Sequence, residues 1–451
     1  MKKTIFVLGL VGAAVSANIL ITTYGCSPGP ASGQDSNSIP NKYAVLPPDI
    51  TEQSQAAADV FSWQSFIAMN WPADSHNCGP DTTGGTTILS GKGPVVWETY
   101  LSTDQVFVSS PATPAQWCTG GNAQNALRLL PPTVQDLARR TGVYRFVHRI
   151  SKFPNGLQQA VGGPLVDQNG RFARYEVRVN QDEYNYIVKN VLWDTAGQQQ
   201  FVRAGKKVVM PAGATTYGSV GAMEFKAAWK VLGAGDDTTR FYRIRAIVYN
   251  DDTGAVSPGP NPVTLGLVGL HIAHKTATQR NWVWSTFEQV DNLTKSFAKP
   301  HCDTCKPNQP LPGPNYVELS PNGQPLNPPT QVVRVNKVED PFADSINRYF
   351  RKLLKGSVWE HYQLVSTQWL FAEDMTPSFL ANSVQETFAQ GPHPASFGNF
   401  TPIIDQPYYT DSLYNPFSNS VSSSCMGCHY VSTLPYSTAK ADFSFILGEA
   451  H

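Results

Sequence analysis

The chain reads as an α+β protein: a large, mainly antiparallel β-sheet or sandwich body, followed by a smaller, helical, loop-rich C-terminal region. Three observations predict this. Stretches between residues 174 and 290 alternate apolar and polar side chains; residues 56–71 and 340–354 carry apolar side chains at helical spacing; and 35 Gly with 35 Pro cut the chain into short elements. With 34 basic and 34 acidic side chains there is no net field to draw it to nucleic acid, and no nucleic-acid partner is expected.

Residues 1–26 read as a signal peptide. Lys2-Lys3 precedes an apolar run from Ile5 to Ile21, which is weaker than the roughly 20 strongly apolar residues a membrane span needs. Two cleavage sites compete. Gly25-Cys26 resembles the junction at which bacterial lipoproteins are cut and lipidated, although Thr23 and Tyr24 depart from that pattern; Val15-Ser16-Ala17 suits ordinary signal peptidase. Cutting after Ala17 leaves Ile19-Leu20-Ile21 exposed, which favours lipidation of Cys26. By the same resemblance, Ser27 points to the periplasmic face of the outer membrane, with a free periplasmic protein as the alternative.

Residues 27–50, rich in Ser, Pro, Gly and Asn, read as a flexible tether. Residues 51–299 read as a mainly β domain with an N-terminal helix. Val60, Trp63, Ile67 and Trp71 recur near helical spacing until Pro72. From Val95 to about Val290 period two dominates. Residues 222–231 put Met223, Phe225, Ala227, Trp229 and Val231 on one face and Glu224, Lys226 and Lys230 on the other. Residues 240–249 alternate likewise around Arg243 and Arg245, and residues 174–179 around Arg174, Glu176 and Arg178. These charges predict ion pairs over a solvated sheet surface. Residues 264–272 are apolar on both faces and predict the central strand. That strand delivers His271 and His274 with Lys275, and residues 281–290 bring Trp282, Trp284, Thr286 and Glu288.

Residues 300–335 form a Pro-rich loop and residues 336–451 the C-terminal region. Asp340-Pro341 opens a helix that Gly356 stops. Residues 359–371 read as a strand, and Thr376-Pro377 opens a helix running to Gln390. The motif Cys425-Met426-Gly427-Cys428-His429 follows. Two cysteines three positions apart, followed at once by histidine, are what covalent haem attachment requires: a thiol for each vinyl group and an imidazole for the iron. On this reading Cys425 and Cys428 carry one haem c and His429 is the proximal ligand. A redox disulfide needs no histidine, and a zinc site needs further ligands at matching spacing.

Of the seven cysteines, Cys78, Cys118, Cys302 and Cys305 remain. In an oxidising compartment an even set predicts two disulfides; three connectivities are open, and Cys78 with Cys118 and Cys302 with Cys305 is the most local. Cys302-Asp303-Thr304-Cys305-Lys306 also resembles the C-x-x-C-K site of multihaem nitrite reductases, where lysine ligates the haem. That family surrounds this site with several C-x-x-C-H motifs and this chain has one, so a second haem at Cys302, Cys305 and Lys306 is the less favoured reading.

Only 22 residues follow His429, with no methionine and only His451 among the histidines. A sixth ligand or distal residue must therefore come from upstream: His271, His274, Met375 and His361 are the main candidates, with His393 and Met223 behind them. Arg243 or Arg245 could meet the propionates.

Residues 61–72 (Phe61 to Pro72), Gly269 to Thr276, Trp282 to Glu288, Leu380 to Ser383 and Ser424 to His429 are similar to segments of exported bacterial proteins grouped as the "cytochrome c family protein". The resemblance implies one covalent haem and brings no assigned reaction. Two functions follow as expectations. The first is a c-type cytochrome passing electrons to periplasmic or cell-surface redox proteins while held to the membrane through a lipid anchor. The alternative is a haem-dependent oxidoreductase of peroxidase or oxidase type, with the β region forming the substrate site. No phosphate loop, dinucleotide fingerprint, H-E-x-x-H or G-x-S-x-G pattern competes.

Overall fold

The computed structural model describes residues 40–451 except 51, 75, 92, 110–111, 119–129, 149–163, 215–218, 250–255, 257–260, 299–306, 310–326, 335–342, 370–381, 390–424 and 431. Eight strands make one mostly antiparallel sheet: β1 (Leu101–Ser102), β2 (Phe146–His148), β3 (Arg174–Val179), β4 (Met223–Val231), β5 (Arg243–Tyr249), β6 (Val263–His274), β7 (Val283–Gln289) and β8 (Tyr362–Gln368). The main path is β8-β7-β6-β4-β3-β1; β5 pairs with β6 and β2 with β5, the latter pair parallel. The expected α+β class is what forms, as one sheet covered on both faces by helices and loops.

β6 is central, as its two-sided apolar pattern predicts. One edge pairs with β4 along Leu265 to His274, and the other is shared end to end by β7, from Gly269 to His274, and β5, from Val263 to Gly266. Register decides the faces. Phe225, Ile272 and Ser285 lie in one row, as do Ala227, Leu270 and Phe287, and all point to the same side.

On that side lies α1 (Gln55–Met69), started by the Ser54 side chain, which accepts from the Ala57 amide. Its Trp63, Phe66 and Ile67 are buried; Trp63 meets Phe287 edge-on at 5.1 Å, and the Ser62 hydroxyl lies 2.7 Å from that of Ser285. A later helix (Ala343–Leu353) locks against it, with Phe350 stacked on Trp63 at 5.3 Å and Asn347 accepting from the Trp63 indole at 2.9 Å. β8 joins the sheet edge beside β7, so the C-terminal third interleaves with the β body within one unit, Ile39–His451.

The charged strand faces depart from expectation. Glu176 pairs with Ala227 and Arg178 with Phe225, so the polar residues of β3 share a side with the apolar stripe of β4. Each strand alternates, but their phases are opposed. Arg174, Glu176 and Arg178 are therefore buried, at 1%, 8% and 7% exposure, instead of solvated. Glu176 takes Arg145 at 2.5 Å, Arg178 at 3.3 Å and the Trp229 indole at 3.1 Å, and Arg145 also reaches Glu98 at 3.3 Å. Burial alone would push Glu176 up; the two guanidiniums outweigh it and hold the carboxylate low. Glu224 and Lys230 of β4 are buried as well.

Among the described residues, period two also hid three helices of nine or more residues: α2 (Pro132–Thr141), α3 (Gln181–Lys189) and α4 (Thr195–Arg203). The last two are started by Asn180 and Asp194, whose side chains accept from the Glu183 and Gly197 amides. The final residues of the stretch read as a tether are fixed: Ala44, Leu46 and Ile50 are buried, and the Asp49 carboxylate accepts from the Thr276 and Thr278 hydroxyls at 2.5 and 2.8 Å. Cys78 and Cys118 are joined in a disulfide. Cys26, Cys302, Cys305, Lys306, Met375, His393 and residues 376–381 and 390 of the expected 376–390 helix lie outside the described residues; residues 382–389 form turns ending in a 3-10 turn (Thr387–Ala389) instead of the expected helix. Among the described residues, no helix is long and apolar enough to cross a membrane.

Candidate functional site

The second side of the sheet carries the other residue of each alternation. Glu224 of β4, Ala273 of β6, Trp284 of β7 and Gln368 of β8 make one row across it; Lys226, His271, Thr286 and Ser366 make the next. Ala228, Gly269 and Glu288 make a third. Two C-terminal segments cover this side.

The first is the motif. Residues Cys425–Tyr430 form a helical turn, the local shape that a C-x-x-C spacing needs to bring its thiols together. It sits on the first row: the Met426 amide donates to the Gln368 side-chain oxygen at 2.8 Å, and the His429 ring lies 4.3 Å from Trp284. Met426 is fully buried, so it serves as packing, and Cys425 is half-buried. The chain then folds back. Trp282 donates from its indole to the Asp442 carbonyl at 3.1 Å, and Phe445 meets the His429 ring edge-on at 5.0 Å.

This return also sets the state of His429. Its Nδ1 lies 2.7 Å from the Phe443 carbonyl oxygen, which only accepts, so Nδ1 carries the proton and Nε2 keeps its lone pair. Burial pushes the imidazole down to about 4, with Lys226 and His271 adding to the effect and the Phe443 bond and Glu386 opposing it. A neutral imidazole with Nδ1 tied to a backbone carbonyl is the form in which histidine binds a metal through Nε2.

The second covering segment, residues 382–389, lies over the third row. The Ser383 amide donates to Glu288 at 2.5 Å, the Asn382 side chain donates to the Phe287 carbonyl at 3.1 Å, and the Tyr175 hydroxyl donates to the Val384 carbonyl at 2.6 Å. It carries Glu386, whose two oxygens lie 3.1 and 3.2 Å from His271 Nε2; His271 Nδ1 is 3.1 Å from the Thr286 hydroxyl. Burial alone would raise Glu386, but His271 and Lys226 outweigh it and hold it below the ordinary carboxylate range. The side chains of His271 and Glu386 are 15% and 27% exposed, so solvent reaches this pair. His429 responds to Lys226, His271 and Glu386, and these are the ionisable groups of the second row and its cover.

The other candidates separate from the motif. His274 is three residues from His271 and faces the α1 side, bonded to the Val220 carbonyl at 2.6 Å and stacked on Phe61 at 5.6 Å. Met223 pairs with it on that side. His361 precedes Tyr362, which pairs with Gln289, whereas Trp284 pairs with Gln368 at the opposite end of the same ladder. Arg243 and Arg245 are exposed on β5, which adjoins the other end of β6. His271 is thus the one histidine among the described candidates on the motif side.

The sequence reading missed Phe443, Glu386 and Glu183. A backbone carbonyl leaves no residue signature, and Glu386 sits in a stretch that reads as a helix running to Gln390 and forms turns instead. Among the described residues, no cluster of three His, Cys, Asp or Glu side chains is set to hold a metal ion. The donor set at the motif, one neutral imidazole beside cysteine, fits an iron whose other ligands come from a porphyrin. No family model, curated protein or solved structure matches the chain.

Proposed function

We propose that this chain is a c-type cytochrome that transfers single electrons in the periplasm or at the outer membrane, exchanging them with periplasmic or cell-surface redox proteins. Cys425 and Cys428 would hold haem c through thioethers and His429 would ligate its iron, supplying a one-electron couple. The observation that carries the reading is the 2.7 Å contact of His429 Nδ1 with the Phe443 carbonyl, which readies Nε2 for a metal. Trp284 and Phe445 pack against that ring. Lipidation at Cys26 would tether the protein to the membrane.

A second reading, a haem-dependent oxidoreductase, is favoured by the His271–Glu386 pair. It is a carboxylate-backed imidazole reached by solvent, able to hold or pass a proton beside the motif. One experiment addresses both readings. The full chain is produced with and without cytochrome maturation machinery, and spectra are taken oxidised, reduced and under carbon monoxide. Pigment that survives acid acetone is expected, and is lost in Cys425→Ser/Cys428→Ser. Low-spin bands indifferent to the gas support the carrier; a high-spin ferric form with ready gas binding supports the enzyme. Colourless protein from the maturation-competent host overturns both.

A further inference from the structure

α3 points Glu183 toward the first row of the motif side, where Glu224 stands beside Ala273 and Trp284. Glu183 is 0% exposed and Glu224 9%. Neither Glu183 oxygen, nor Oε1 of Glu224, meets a hydrogen-bond donor, yet the two carboxyl groups lie within hydrogen-bonding reach of each other. Two acceptors facing one another can be joined only by a proton. Other charged groups close to the pair are Asp442 and Lys275, which bind each other at 2.5 Å; the Ser444 hydroxyl adjoins Glu224, and Tyr186 of α3 faces Asp442.

We propose that Glu183 and Glu224 form a buried proton-binding site that takes one proton from water when the centre held by His429 gains an electron, and returns it when the electron leaves.

Burial gives such a site its affinity. It pushes Glu183 well above the ordinary carboxylate range, with Glu224 and Asp442 adding to the push and Lys275 opposing it, and it pushes Glu224 to about 7 despite the opposing influence of the neighbouring Ser444 hydroxyl and Glu183 carboxyl. Proximity gives the coupling. Glu224, Ala273 and Trp284 are aligned on adjacent strands, so two strand spacings, roughly 10 Å, separate the Glu224 and Trp284 backbones, and the Trp284 ring touches that of His429. Ser444, beside Glu224, follows Phe443, which holds the imidazole. An added electron makes the motif side more negative. Charges buried this close are little screened, so the pair binds its proton more tightly. The balance is one electron from a one-electron donor and one proton from solvent.

The inference rests on the haem reading, and its test separates the two. In haem-loaded full-length protein, the midpoint potential is titrated between pH 5 and 9. A fall approaching about 59 mV per pH unit near neutrality, a tenfold change in equilibrium constant for one electron, is expected, with a shallower slope in both Glu183→Gln and Glu224→Gln. Propionates titrate in all three proteins, so the slope difference is the readout. A second measurement, infrared spectroscopy, is expected to show a protonated buried carboxyl band, shifted on reduction and lost in the double variant. Equal slopes in wild type and both variants, or no such band, overturn the proposal. Protein that takes up no haem but shows the band overturns the cytochrome reading and the electron coupling, and leaves the shared proton standing.

Discussion

The Nδ1 nitrogen of His429 donates to the carbonyl oxygen of Phe443 at 2.7 Å, across 14 residues of chain. A backbone acceptor cannot be titrated or mutated away, so it fixes the ring's tautomer and plane more firmly than a side-chain partner would. The carbonyl is itself held: its neighbour Asp442 takes the Met210 amide at 2.6 Å and the Lys275 ammonium at 2.5 Å, and Asp442's own carbonyl takes the Trp282 indole. Residues 442–445 thus act as the clamp on the motif.

Trp284 is the floor of that clamp, 6% exposed and 4.3 Å from the His429 ring. Trp284→Ala is expected to cost about 3–5 kcal/mol in urea unfolding, the usual range for deleting a buried tryptophan. It should also broaden any haem absorption bands, because the imidazole loses its support. Trp284→Phe should recover most of both. Unchanged spectra in the alanine variant would show that the ring does not orient His429.

Much of this arrangement was legible beforehand. Residues 222–231 and 264–272 revealed the β4 and β6 strands, because a period of two and a run apolar on both faces are direct images of half-buried and central strands. What alternation cannot show is phase between strands. Arg174, Glu176 and Arg178 read as a solvated face, yet the register with Ala227 and Phe225 turns them inward. The same limit hid the parting of His271 and His274 to opposite sides, although their odd spacing encodes it once the strand runs to His274. α3 and α4 were missed because Asn180 and Asp194 caps open helices of only nine residues each, shorter than the windows in which helical periodicity stands out.

The inward turn of β3 has a measurable consequence. Glu176 is the shared acceptor for Arg145, Arg178 and the Trp229 indole, and Glu176→Gln leaves two guanidiniums buried with their main counter-charge removed. Breaking a buried ion pair on one side costs about 3–5 kcal/mol, and urea unfolding should report a loss of that order. A loss below about 1 kcal/mol, typical of exposed pairs, would mean that the network is solvated after all.

His274 should give the protein a pH signature of its own. Burial pushes its imidazole down to about 4, against the Val220 carbonyl bond and the Asp49 charge. The folded state therefore binds fewer protons than the unfolded one, whose histidines titrate near 6.5. The resulting stability is fully present above about pH 6.5 and is lost as pH falls toward 4. The Tm of His274→Gln is expected to fall less steeply than that of wild type across this window. Because His274 faces α1, this variant should leave haem spectra unchanged, whereas His271→Gln should alter gas binding or band positions. Altered spectra in His274→Gln would reverse the assignment of faces.

Gly269 links the sheet to the segment that delivers Glu386. A Cβ at this position would lie 2.8 Å from Val384 Cγ2 and 3.1 Å from the Asn382 side-chain oxygen. Neither can retreat freely, since Val384 is fully buried and Asn382 donates to the Phe287 carbonyl. Gly269→Ala must therefore lift residues 382–389 by some tenths of an ångström. Overpacking of this kind costs about 1–3 kcal/mol, and here the displacement has a direction. Glu386 moves with its segment, while His271 stays on β6, so the contacts at 3.1 and 3.2 Å lengthen. The His271 imidazole then loses its carboxylate partner, and the NMR chemical shift of its Nε2, measured at one fixed pH, is expected to move in Gly269→Ala in the same direction as in Glu386→Gln. A His271 Nε2 shift unmoved by Gly269→Ala but moved by Glu386→Gln would show that the segment yields elsewhere and that the glycine serves packing alone.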